Sequence, residues 1–202
     1  LPLQRNGDCG DFQTLYTECM TRAAPTPSID NRSIVLIGLM GVGKTTVGRR
    51  LAATLKRKFK DADEEIEKAA GRSVSEIFDD FGEAAFRDGE RKVIARLLEQ
   101  PPMVLALGGG AFVDPTTRQQ VKAHACTIWL QADIDVLMKR VLRRDTRPLL
   151  KTEDPEQVMR DLLEKRSEIY AEAEIHIDAG AGTHQITVDN ILAALNITES
   201  PR

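Results

Sequence analysis

The sequence contains no apolar run that approaches the roughly 20 residues a bilayer-spanning helix needs, and its N-terminus lacks the charged-then-apolar order of a signal peptide. Basic excess is missing as well: 28 Lys and Arg stand against 31 Asp and Glu, a formal net charge of −3, whereas a general nucleic-acid binder usually carries a positive footprint. Cysteine is scarce. Cys9, Cys19 and Cys126 show neither metal spacing nor an even-numbered disulfide framework. His124, His176 and His184 form no constellation, and each reads as a structural or surface residue. There is no internal repeat and no low-complexity tract. We therefore expect a cytoplasmic protein whose partners are neither membranes nor nucleic acids.

What is present is ordinary globular composition, 42% hydrophobic and 29% charged over 202 residues, enough for one domain plus modest extra segments. Residues 1–32 are polar and turn-rich without sustained periodicity, and read as a disordered N-terminal extension. The first residue is Leu1, and Met20 precedes a short polar lead into the first apolar run, so residues 1–19 are expected to be an upstream addition with Met20 as the natural start. Residues 33–196 are expected to form a single domain and 197–202 a C-terminal tail.

The stretch Gly38-Leu-Met-Gly41-Val-Gly43-Lys44-Thr45 follows the apolar run Ile34 to Ile37 and opens a helical pattern through Val47, Leu51 and Leu55. This is the strand-to-helix setting of a phosphate-binding loop. Glycines let the backbone curl until successive N–H groups point inward, and the helix N-terminus adds partial positive charge. Lys44 suits the β- and γ-phosphates and the Thr45 hydroxyl suits Mg²⁺.

Beyond it, apolar runs at 33–38, 58–62, 103–107, 126–131 and 174–178 alternate with helical patterns near 44–57, 82–99, 115–124, 133–143, 155–170 and 184–195. That alternation predicts an α/β fold with a parallel sheet covered by helices on both faces. Asp114-Pro115 and Asp154-Pro155 each supply a capping acid and a first-turn proline, and Ser73-Val-Ser-Glu76 reads as a capping box.

The second run ends in Asp61-Ala-Asp63, and on extended backbone that spacing puts both carboxylates on one face. Capping explains such acids; a metal shell and a substrate hydroxyl at the carboxyl edge of the sheet explain them too. The inserted helical block 62–99 holds Phe78, Phe81 and Phe86, which alone suggest a small core, beside Arg87 with Glu90 at helical spacing to orient it. A guanidinium held this way suits a small carboxylate. The third run ends in Gly108-Gly109-Gly110 with no aspartate, so the usual Walker-B position lacks its acid and Asp61 is the better metal candidate. Three glycines there indicate either a flexible turn or close approach by a ligand or another backbone.

Lys139, Arg140, Arg143, Arg144 and Arg147 cluster around a helix end, and Pro148 biases Arg147 away from helical geometry. Such a segment is either a solvated basic face or a mobile lid that carries an arginine to the γ-phosphate. Arg166 shares the apolar stripe of Val158, Leu162 and Ile169, placing it at the wet edge of that stripe or in a polar cavity with an anionic ligand.

In this order the phosphate loop, Asp61-x-Asp63, Phe86-Arg87, the three glycines, Arg147-Pro-Leu-Leu and Lys165-Arg166 resemble the shikimate kinases, over about residues 33–195. The resemblance implies ATP-dependent phosphorylation of the 3-hydroxyl of shikimate, giving 3-phosphoshikimate and ADP on the route to chorismate and the aromatic amino acids. It also implies a three-layer αβα P-loop kinase fold with a five-stranded parallel sheet, a substrate-binding region at about 62–91, a lid at about 143–154 and a monomeric state. Carried over by residue, Gly41, Val42, Gly43, Lys44, Thr45 and Thr46 wrap the ATP phosphates, Arg147 meets them on lid closure, and Arg140 lies near the adenine. One Mg²⁺ is ligated by Thr45, with Asp61 acting through water. Asp63 holds the acceptor hydroxyls and takes the proton of the attacking one, Arg87 and Arg166 clamp the carboxylate, and Gly109 gives its N–H to a hydroxyl. Asp63, Lys44 and Arg147 are then the catalytic set, and Gly110, Phe78, Phe86 and Glu90 join the candidate substrate-binding residues.

A gluconate kinase or a nucleoside monophosphate kinase shares the loop and lid but leaves Asp63, Arg87, Gly109 and Arg166 without a reason. A catalytically silent nucleotide-binding or partner-binding domain predicts erosion of at least one acceptor or metal residue, and none is eroded.

Overall fold

A computed structural model describes residues 31–142 and 154–197 of the chain. Five strands, β1 (Ser33–Ile37), β2 (Lys58–Asp61), β3 (Met103–Ala106), β4 (Ala125–Gln131) and β5 (Ile175–Asp178), form one parallel sheet in the order β2-β3-β1-β4-β5. The strand sequences match their places. Central β1, SIVLI, and β3, MVLA, are buried at every residue, as strands covered on both faces must be, while edge β5, IHID, buries Ile177 and exposes His176 and Asp178.

The helices are α1 (Lys44–Thr54), α2 (Ala62–Ala70), α3 (Val74–Leu98), α4 (Pro115–His124), α5 (Ile134–Val141), α6 (Pro155–Tyr170) and α7 (His184–Ala194), with a short 3₁₀ turn at Ala111–Val113. Packing joins α1 to α7 and α3 to α4. The predicted caps form. Asp114 and Asp154 accept from the N–H groups of Thr117 and Gln157, and Ser73 with Glu76 completes a reciprocal capping box. Each such cap contributes about 1 kcal/mol.

Two helix boundaries differ from expectation. Helix α1 stops at Thr54 rather than 57, because Lys56 turns into the left-handed region (φ 53°) and Arg57 N–H closes onto the Ala52 carbonyl; without glycine or proline nearby, the sequence gives no stop signal. Helical structure before residue 82 comes from α2 and the first part of α3, which breaks at Gly82 (φ 79°, ψ 173°) into two segments.

Chain order explains where a ligand can sit. From β1 the connection passes over β3 to reach β2, while from β3 it passes over β1 to reach β4. The two crossovers leave in opposite directions, so a crevice opens beyond the carboxyl ends of β1 and β3. Residues Gly38 to Gly43 follow β1 there, and Gly108 to Gly110 follow β3.

Candidate active site

Gly43 is the N-cap of α1, left-handed at φ 103°, and provides no side-chain cap; the first turn of α1 has no acidic residue. The N–H groups that α2, α3, α4, α6 and α7 satisfy in part with an Asp, Ser or Thr side chain are thus left to the loop and an anion. Lys44 folds its ammonium back over the loop, donating to the carbonyls of Gly38 (2.8 Å) and Leu39 (3.1 Å). Arg140 braces the loop from α5, its guanidinium donating to the carbonyl oxygens of Val42 (3.3 Å) and Ala179 (3.1 Å). Thr46 occupies the first turn of α1.

Thr45 Oγ1 donates to Asp61 Oδ2 at 2.8 Å, and Asp61 Oδ1 accepts from the Asp63 N–H at 3.2 Å. The capping and metal readings of Asp61 are compatible, since one oxygen caps α2 and the other faces the end of the phosphate loop. A hydroxyl beside a carboxylate is a hard-oxygen pair that fits Mg²⁺, which keeps waters and phosphate oxygens and needs only one or two protein ligands.

The three glycines after β3 form the floor of the crevice. A Cβ on Gly108 would stand 2.6 Å from Asp63 Oδ1 and 3.4 Å from Glu90 Oε1; on Gly109, 3.1 Å from Arg166 Nη1; on Gly110, 2.7 Å from Arg87 Nη2. Side chains from α2, α3 and α6 therefore converge on three consecutive residues. The glycines are closely approached, though by the side chains of Asp63, Arg87 and Arg166 rather than by the ligand or second backbone that the sequence suggested.

Each guanidinium is anchored. Arg87 pairs with Glu90 at 2.6 Å and more loosely with Glu83 at 3.4 Å, and its Cζ lies 5.2 Å from the Phe86 ring centre. Phe86 is buried, with Phe78 4.5 Å away, so these two rings support Arg87 from beneath; Phe81 is exposed and belongs to no core. Glu90 is 2% exposed. Burial pushes its carboxyl above the usual range against the pull of Arg87, and nearby Asp63 pushes the same way. Arg166 donates from Nη1 to the Gly109 carbonyl at 2.9 Å.

Two residues here escaped the sequence reading. Tyr170, fully buried, donates its hydroxyl to the same Gly109 carbonyl; its position one helical turn after Arg166 was the available signal. His184, read as structural or surface, sets its ring 3.1 Å from where a Cβ on Gly43 would stand, and burial, then Arg140 and Arg50, hold its pKa down. Arg147, residues 143–153 of the expected lid (about 143–154) and residues 1–30 of the expected N-terminal extension (1–32) lie outside the described residues; Arg32, placed in that extension by the sequence, is instead held against the sheet, pairing with Glu174 and donating to the Ala125 carbonyl.

Comparison with known proteins agrees with this geometry. The family model described as shikimate kinase matches residues 40–196. A shikimate kinase of Caulobacter vibrioides is 56% identical over 164 residues, covering 81% of this chain and 82% of the relative, and one of Paramagnetospirillum magneticum is 55% identical over 164 residues, covering 81% and 84%. Among solved structures, shikimate kinase from Acinetobacter baumannii in complex with shikimate superposes with a TM-score of 0.79 at 38% identity, covering 83% of this chain and 94% of that one. With a family model over most of its length and relatives above half identity, the chain belongs to the shikimate kinase family.

Proposed function

We propose that the protein transfers the γ-phosphoryl group of ATP to the 3-hydroxyl of shikimate, giving 3-phosphoshikimate and ADP. The observation that carries this reading is the placement of Arg87 and Arg166 against neighbouring glycines, with Asp63 against the glycine before them, next to the phosphate loop. Two guanidinium forks suit one carboxylate, and a carboxylate at the other end suits hydroxyls. A neutral sugar does not need that pair.

Phosphoryl transfer asks the protein mainly for in-line positioning and charge neutralisation. In this reading, Lys44 and the N–H groups of Gly41 to Thr46 hold the phosphates, with Arg140 bracing the loop. Arg87 and Arg166 fix the carboxylate. Asp63 orients the attacking hydroxyl and takes its proton as the new O–P bond forms and the β–γ bridging bond breaks. Thr45 would hold Mg²⁺ directly and Asp61 through water, and the metal would supply neutralisation of the phosphate charge.

An ADP-release assay with shikimate, gluconate and AMP offered in parallel tests the proposal. Turnover with shikimate alone is expected. Preference for gluconate or AMP would replace it with the corresponding kinase, and no turnover with any acceptor would favour a silent nucleotide-binding domain.

A further inference from the structure

We propose that Tyr170 is a positioning residue for the acceptor, acting through the Gly109 carbonyl and Arg166; this rests on the reading of the glycine floor as the seat of a small carboxylate.

Tyr170 ends α6 and is fully buried, yet its polar tip reaches the loop after β3. There it shares one acceptor with Arg166: both Tyr170 Oη and Arg166 Nη1 donate to the Gly109 carbonyl, which spends its two lone pairs on them. The consequence is a fixed peptide plane between Gly109 and Gly110 in a stretch that has no side chains of its own to hold it. Arg166 is fixed by the same contact, since one end of its fork is committed to the floor and the rest of the guanidinium is aimed from there.

The phenol is itself held from behind. Its ring lies 5.8 Å from Trp129 of β4, which in turn meets His176 of β5 edge-on at 5.2 Å. A rigid line therefore runs from the sheet through Trp129 and Tyr170 to Gly109. Burial pushes the Tyr170 hydroxyl above its ordinary pKa, opposed by Arg166, so it remains a donor over the working range. A buried tyrosine needs some partner for its hydroxyl. Here that partner is the carbonyl that also anchors the arginine, and this couples an otherwise ordinary core residue to the acceptor.

Tyr170→Phe keeps the ring and its packing while removing only the hydroxyl. Steady-state kinetics of wild type and variant, with shikimate and ATP each varied, separate positioning from general damage. Positioning predicts that kcat/KM for shikimate falls about tenfold, while KM for ATP stays within about twofold. A double-mutant cycle with Arg166→Lys adds an independent reading: the two losses should fall well short of multiplying, because both act through one carbonyl. A Tyr170→Phe enzyme that matches wild type with shikimate overturns the proposal and leaves the function standing. So does one whose KM values for both substrates deteriorate together, as a purely structural tyrosine predicts. A wild-type enzyme inert toward shikimate overturns the function and the proposal with it.

Discussion

Asp63 and Gly108 are in contact: the carboxylate oxygen Oδ1 lies 2.6 Å from the point where a Cβ on Gly108 would stand. An added methyl must displace that oxygen, and the neighbour that yields is the end of a side chain rather than backbone. The displacement should spare the fold and disturb the chemistry. Gly108→Ala should keep its melting temperature within a few degrees of wild type but lose roughly 10²-fold in kcat/KM for the acceptor, the scale of an ångström-sized misplacement. Thermal melts and steady-state kinetics on one preparation check both halves.

Asp63→Asn tests the carboxylate without moving it. The amide preserves shape and the N-terminal start of α2 while removing the proposed proton acceptor. Nucleotide affinity, measured by calorimetry, should remain close to wild type, and turnover should fall by roughly 10²- to 10⁴-fold. Robust product formation would reduce Asp63 to an orienting group.

Much of this site is legible in the sequence itself. The phosphate loop announces itself because backbone conformation demands glycine at fixed places, and Gly41 and Gly43 do adopt positive φ. The sheet was legible because buried parallel strands are continuous apolar runs. Tyr170 was hard to single out for the opposite reason: a buried aromatic at helical spacing is what any core contains, so its place one turn after Arg166 is a weak signal until the position of its hydroxyl is known. His184 was hidden because α7 returns to the phosphate loop from about 140 residues downstream, a contact no local pattern encodes. The triple glycine was ambiguous for a related reason. Its crowding comes from Asp63, Arg87 and Arg166, which belong to three different helices.

Thr45→Val addresses the metal. Valine matches threonine in shape but cannot donate to Asp61, so the 2.8 Å bond is lost while Asp61 keeps its capping bond to the Asp63 N–H. The Mg²⁺ concentration giving half-maximal turnover should rise at least about tenfold, as expected when one oxygen ligand of a sparsely held ion is removed. Titrating MgCl₂ at fixed ATP measures it. An unchanged Mg²⁺ requirement would remove Thr45 from the metal's surroundings.

Cys126 offers a test of packing rather than function. It lies in central strand β4, and burial pushes its thiol up to about 11. At pH 8 the thiolate is therefore a fraction on the order of 10⁻³, and the thiolate is the reactive form. Alkylation of native protein at pH 8, followed by peptide mass spectrometry, should leave Cys126 unmodified until denaturant opens the sheet. Prompt labelling would mean that the β1–β4 pairing opens easily.

Glu90 carries the pH dependence. The carboxyl is almost fully buried, 2.6 Å from Arg87 Nη1, and burial raises its pKa above the ordinary 4.5 despite the guanidinium. Between the unfolded and the raised folded value the native state binds more protons than the unfolded chain, so this group's contribution to stability is greatest at low pH and declines as pH rises through that window. Glu90→Gln cannot titrate, and its stability should lack that slope. The wild-type advantage over the variant should shrink from about pH 4.5 upward and then level off, as followed by chemical denaturation at a series of pH values. A wild-type advantage that grows with pH would mean that Arg87 outweighs burial and holds the carboxyl down. The same variant weakens the charge-assisted bond that aims Arg87, so KM for the acceptor should rise roughly fivefold or more at neutral pH while KM for ATP holds. The two readouts are independent: one reports the proton on Glu90, the other the direction in which Glu90 points its arginine.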